Sequence, residues 1–72
     1  MSNKKIVNQI RKLRFNKDEL TQQQLADLIN VSRQTVVAIE KGKYSPSLEV
    51  AFKIAEVFNV TISDVFQYEE LD

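Results

Sequence analysis

An all-α fold is what this sequence predicts: a compact bundle of five helices ending in a short extended tail. Three observations carry that expectation. Apolar residues recur at three- and four-residue spacing over most of the chain. Thr21, Ser32, Ser47 and Thr61 each precede such a run, where a side-chain oxygen can accept a free helix N–H. Asn30, Gly42 and Asn59 stand where runs stop, and Asn and Gly are the residues that most readily turn left-handed after a helix.

Ile6, Ile10 and Leu13, joined by Val7, predict a first amphipathic helix that ends near Phe15. The polar run "NKDEL" connects it to Thr21. There a capping box is legible: Thr21 can accept the N–H of Gln24, and the Gln24 side chain can reach back to the N–H of Thr21. Leu25, Leu28 and Ile29 form the predicted inner face of the second helix, with small Ala26 allowing a neighbour to approach. After the stop at Asn30, Val31 plugs into the core, and Ser32 caps a third helix that turns Val36 and Ile39 inward and ends at Gly42.

The exposed loop "KYSPS" leads to Ser47, the cap of a fourth helix, with Glu49 placed well against its dipole. Leu48, Ala51, Phe52, Ala55 and Phe58 make one apolar stripe, which Val50, Ile54 and Val57 widen, as expected of the most buried helix. Asn59 ends it, and Thr61 caps a last short turn holding Ile62, Val65 and Phe66. Phe66 and Tyr68 then alternate with Gln67 and Glu69, the pattern of an extended tail over 67–72.

Seventy-two residues, 43% hydrophobic and 28% charged, suit one small domain, 1–72, with no room for a second, effector-sensing one. The chain has no Cys and no His, which excludes disulfides, zinc fingers, thiol nucleophiles and imidazole acid-base chemistry. No glycine-rich phosphate loop or metal-ligand cluster is present, so neither an enzyme nor a cofactor is expected. With no charged leader and no long apolar run, a soluble cytoplasmic protein without a membrane partner is the expectation. The formal net charge of zero hides a dipole: all ten Lys and Arg lie between Lys4 and Lys53, whereas Glu56, Asp64, Glu69, Glu70 and Asp72 fall in the last nineteen residues of the sequence, which hold no Lys or Arg.

The order T-Q-x-x-L-A (Thr21 to Ala26), V-S (Val31, Ser32), I-E-x-G (Ile39 to Gly42) and P-S (Pro46, Ser47) resembles the Cro/C1-type (Xre-like) helix-turn-helix family of phage and bacterial repressors. The resemblance covers about Ile6 to Phe66 and is nearest to short stand-alone members such as a cytolysin-operon regulator. Asn30 and Asn59 depart from it where the family has Gly, and the Arg14 to Leu20 connection is one residue longer and lacks its glycine.

The resemblance implies a lambda-repressor-like DNA-binding domain with its helix-turn-helix at about 21–42, the second of those helices lying in the major groove of double-stranded DNA. Arg33 and Gln34 open that helix; Arg suits guanine O6 and N7, and Gln suits adenine N6 and N7. Thr35, Val37 and Ala38 complete the base-reading face, the last two able to pack on a thymine methyl. Gln22, Ser32, Lys41, Lys43 and Tyr44 match backbone-contacting positions, and Glu40 matches an acid that pairs with an arginine of the first helix, here Arg14. One helix reads only a few base pairs, so a repressor acting as a homodimer on an inverted-repeat operator is expected, paired through Val65, Phe66 and Tyr68. The alternative is a protein-interaction module, an antitoxin or a polymerase-binding factor, that keeps the fold without specific DNA binding.

Overall fold

The computed structural model describes residues 3–71; Asp72, counted with the acidic tail, lies outside them. In chain order the elements are β1 (Lys4–Asn8), α1 (Ile10–Asn16), α2 (Gln22–Ile29), α3 (Arg33–Glu40), α4 (Leu48–Phe58), α5 (Ile62–Val65) and β2 (Phe66–Glu70). The five helices are present, but the fold is not all-α. The first strand and the last pair antiparallel, from Lys4 opposite Glu70 to Asn8 opposite Phe66.

Ile6 and Val7 therefore belong to a strand, not to the first helix, which starts only at Ile10. Two adjacent β-branched residues suit a pleated strand. Across the pair, Lys4 and Lys5 stand opposite Glu70 and Glu69, and the Lys4 ammonium lies 5.2 Å from the centre of the Tyr68 ring. Asn8 ends the strand: its Oδ1 accepts the Ile10 N–H at 3.1 Å and starts α1, whose formal cap residue Gln9 supplies no side-chain bond. The extended tail is thus tied to its own chain.

Four caps form where sequence places them. Ser32 accepts from Thr35 N–H and Ser47 from Val50 N–H, while Thr21 with Gln24 and Thr61 with Asp64 close reciprocal boxes. Each such cap is worth about 1 kcal/mol. Asn30 (φ 60°), Gly42 (φ 75°) and Asn59 (φ 55°) are left-handed. At each, the next N–H reaches back five residues: Val31 to Ala26 O, Lys43 to Ala38 O and Val60 to Ala55 O, all at 3.0 Å. Val31 and Val60 then pack against the core. The connection after α1, which lacks the family's glycine, turns instead on Asp18 (φ 53°) and Glu19 (φ 55°) and is held by Leu20 N–H on Arg14 O at 2.9 Å.

The core draws on every helix: Ile10, Leu25, Ala26, Ile29, Val36, Ile39, Ile54, Ala55 and Val65 are buried together. Two expected faces are rotated. Leu28 is 59% exposed because Leu25, Ala26 and Ile29 form the inner arc of α2, and at about 100° per residue Leu28 falls outside it. In α4 the buried side is Ala51, Ile54 and Ala55, so Leu48 (74% exposed) and Phe52 (60% exposed) leave the stripe and face out.

Candidate nucleic-acid interface

The turn between α2 and α3 sets the site. The Asn30 cap and the Val31 anchor redirect the chain within three residues, so that Ser32 opens α3 while α2 packs along it. Val36 and Ile39 fix the inner side of α3 in the core. Arg33 and Gln34 lie on the exposed first turn, and among the described residues neither side chain hydrogen-bonds to its own chain. Thr35, Val37 and Ala38 are half-buried beside them. The Thr35 hydroxyl is 2.9 Å from that of Ser32, so the cap and the first turn form one polar cluster.

The other end of α3 is held from three sides. Glu40 takes Arg14 Nε at 2.6 Å and Nη2 at 3.0 Å, a two-point guanidinium-carboxylate pair with 15% and 10% of the two side chains exposed. Arg14 Nη1 also donates to Leu20 O at 2.9 Å, tying the long connection to the same point. Gln22 Nε2 donates to Glu40 Oε1 at 3.3 Å, joining the first turn of α2 to the last turn of α3. From the sheet, Asn8 Nδ2 donates to Ile39 O at 3.0 Å and Glu40 O at 3.4 Å.

Lys41, Lys43 and Tyr44 are exposed just beyond this anchored end. A groove beside α3 brings together Arg11, Arg14, Gln22, Arg33 and Lys41, with Glu19 at its wall. Arg14 is neutralised by Glu40, but among the described residues Arg11, Arg33, Lys41 and Lys43 form no ion pair. This leaves a basic surface around the first turn of α3, although the chain as a whole is neutral. Sequence reasoning missed Arg11 and Asn8. Nothing local marks Arg11; Asn8, two residues before the first buried position of α1, carried a capping signal that an assumed longer helix concealed.

The residues expected to pair subunits do not share one fate. Val65 is 0% exposed and belongs to the core of its own chain, so it offers a partner no surface. Phe66 is half-buried against the core, while Tyr68 is 67% exposed on β2. Among the described residues no cluster of acidic side chains could hold a metal ion, and no helix is long and apolar enough to cross a membrane.

A family model described as helix-turn-helix matches residues 10–65, from the first residue of α1 to the last of α5, and takes in neither strand. The chain is 63% identical over 51 residues to an uncharacterised HTH-type transcriptional regulator of Methanocaldococcus jannaschii, covering 71% of this chain and 77% of that one. It is 38% identical over 63 residues to the cryptic phage CTXphi transcriptional repressor RstR of Vibrio cholerae, covering 88% of this chain and 56% of the repressor. A crystal structure of a candidate DNA-binding protein from Bacteroides fragilis superposes with a TM-score of 0.75 at 27% identity, over 86% of this chain and 98% of that one. The chain belongs to the Cro/C1-type helix-turn-helix family.

Proposed function

We propose that this helix-turn-helix protein is a sequence-specific, double-stranded DNA-binding transcriptional regulator, a cytoplasmic repressor whose two copies occupy an inverted-repeat operator. The first turn of α3 carries the reading: Arg33 and Gln34 stand exposed with their hydrogen-bonding groups uncommitted, on a helix whose far end is fixed. In the major groove Arg33 donates to guanine O6 and N7, Gln34 pairs with adenine N6 and N7, and Thr35, Val37 and Ala38 line the same face. Gln22, Ser32, Lys41, Lys43 and Tyr44 meet the flanking phosphates, joined by Arg11.

Residues 1–72 act as one domain, and its few base contacts are doubled by a second copy. The pairing surface is not Val65. Exposed Leu48, Tyr68 and Ile6 border one apolar groove with Ile62 and Phe66, outside the helix-turn-helix, and a second copy buries it by two-fold symmetry.

Selection of bound sites from random duplexes tests this. The enriched sites are expected to be inverted repeats with half-sites about 34 to 36 Å apart, one turn of DNA, and a promoter carrying one is transcribed less when the protein is present. An unenriched pool overturns the DNA reading in favour of an interaction module. Enrichment of a single half-site overturns the dimer, and increased transcription overturns repression.

A further inference from the structure

Among the described residues, Asn8 is the one side chain whose hydrogen bonds join the terminal sheet to α3. It closes β1 opposite Phe66, is half-buried, and uses both ends of its amide. Oδ1 accepts the Ile10 N–H at 3.1 Å, and Nδ2 donates to Ile39 O at 3.0 Å and Glu40 O at 3.4 Å. Turning the amide over would set its oxygen against two carbonyls and its NH2 against an N–H, so the surroundings fix its orientation. Among the described residues no other hydrogen bond joins the sheet to α3.

The position of this link matters because the sheet also borders the apolar groove of Ile6, Leu48 and Tyr68. A continuous run of contacts therefore leads from that groove through β1 to the C-terminal carbonyls of α3. We propose that Asn8 is a positioning residue that sets the angle of α3 against the pairing surface, and so fixes the half-site spacing the dimer accepts. It lies in β1, away from the first turn of α3, and outside the residues the family model matches. The inference rests on the dimeric reading above.

Asn8→Asp separates the two bonds. The carboxylate still caps α1, and a negative charge there suits the helix dipole, but its second oxygen now faces the Ile39 and Glu40 carbonyls. Asn8→Ser is the uncharged companion, able to cap Ile10 but too short to reach α3. Binding of parent and variants is measured, well below their melting temperatures, to the operator selected from random duplexes, to one isolated half-site, and to operators with the spacer changed by one or two base pairs.

Half-site affinity is expected to stay within about threefold of the parent, whereas full-operator affinity falls about tenfold or more, because avidity is lost when both sites cannot be met at once. The preference among spacers should flatten for both variants, more for Asp than for Ser. Equal losses on half-site and operator at equal folded fraction overturn the proposal, as does an unchanged spacer preference. A parent indifferent to spacing overturns the dimeric reading first and this inference with it.

Discussion

The two ends of α3 are built in opposite ways. Among the described residues the side-chain bonds at the N-terminal end are local, Ser32 to Thr35, and Arg33 and Gln34 remain in solvent. At the C-terminal end bonds arrive from α1, α2 and β1, through Arg14, Gln22 and Asn8. A helix that must present polar groups to a ligand cannot spend them on its own fold, so its orientation has to be fixed elsewhere. Placing all of the long-range bonds at one end leaves the other free for recognition without leaving it loose.

The contrast breaks most severely at the anchored end. Arg14→Ala strands a mostly buried carboxylate and frees the Leu20 carbonyl, so stability should fall by about 2 to 3 kcal/mol, below the range for a fully buried pair because both side chains retain some water. Denaturant unfolding measures it, and a loss within experimental error would show that the pair does not hold α3. At the free end, Gln34→Ala should leave the unfolding midpoint where it is while discrimination at one base pair drops by about 1 to 3 kcal/mol. Unaltered discrimination in a panel of single-base operator variants would remove Gln34 from the reading face. The smallest effect belongs to Lys43, just past the anchored end: Lys43→Ala should weaken binding to all sequences alike and lower the slope of log affinity against log salt by about 1. A change in which site is preferred would place it among the readers instead.

How much of this was legible depended on sequence distance. The helix-turn-helix rests on interactions between residues three to five apart, the Thr21–Gln24 box, the Asn30 cap and the Ser32 cap, and the sequence displays both partners side by side. The Glu40–Arg14 pair could be named only through the family resemblance, since their separation is set by packing. The sheet was not legible: Ile6 and Val7 fit a helical stripe as well as a strand, and what decided between them was Gln67 and Tyr68 at the other end of the chain. Periodicity also fixes an apolar arc only to within a residue or so. Neighbouring helices chose Ala26 over Leu28 and Ile54 over Phe52, and the same turn of α4 left Leu48 exposed on the surface proposed for pairing.

The sheet has a consequence for how the protein is made. Of the described elements β1 leaves the ribosome first and β2 last, so about 60 residues, or roughly 3 to 12 seconds at ordinary rates of synthesis, separate a strand from its only partner. Throughout that interval Ile6 and Val7 are an open edge that could pair with another nascent chain. Lys4 and Lys5 immediately precede them, and like charges of this kind on a waiting strand repel a second copy until Glu69 and Glu70 arrive to take their places opposite.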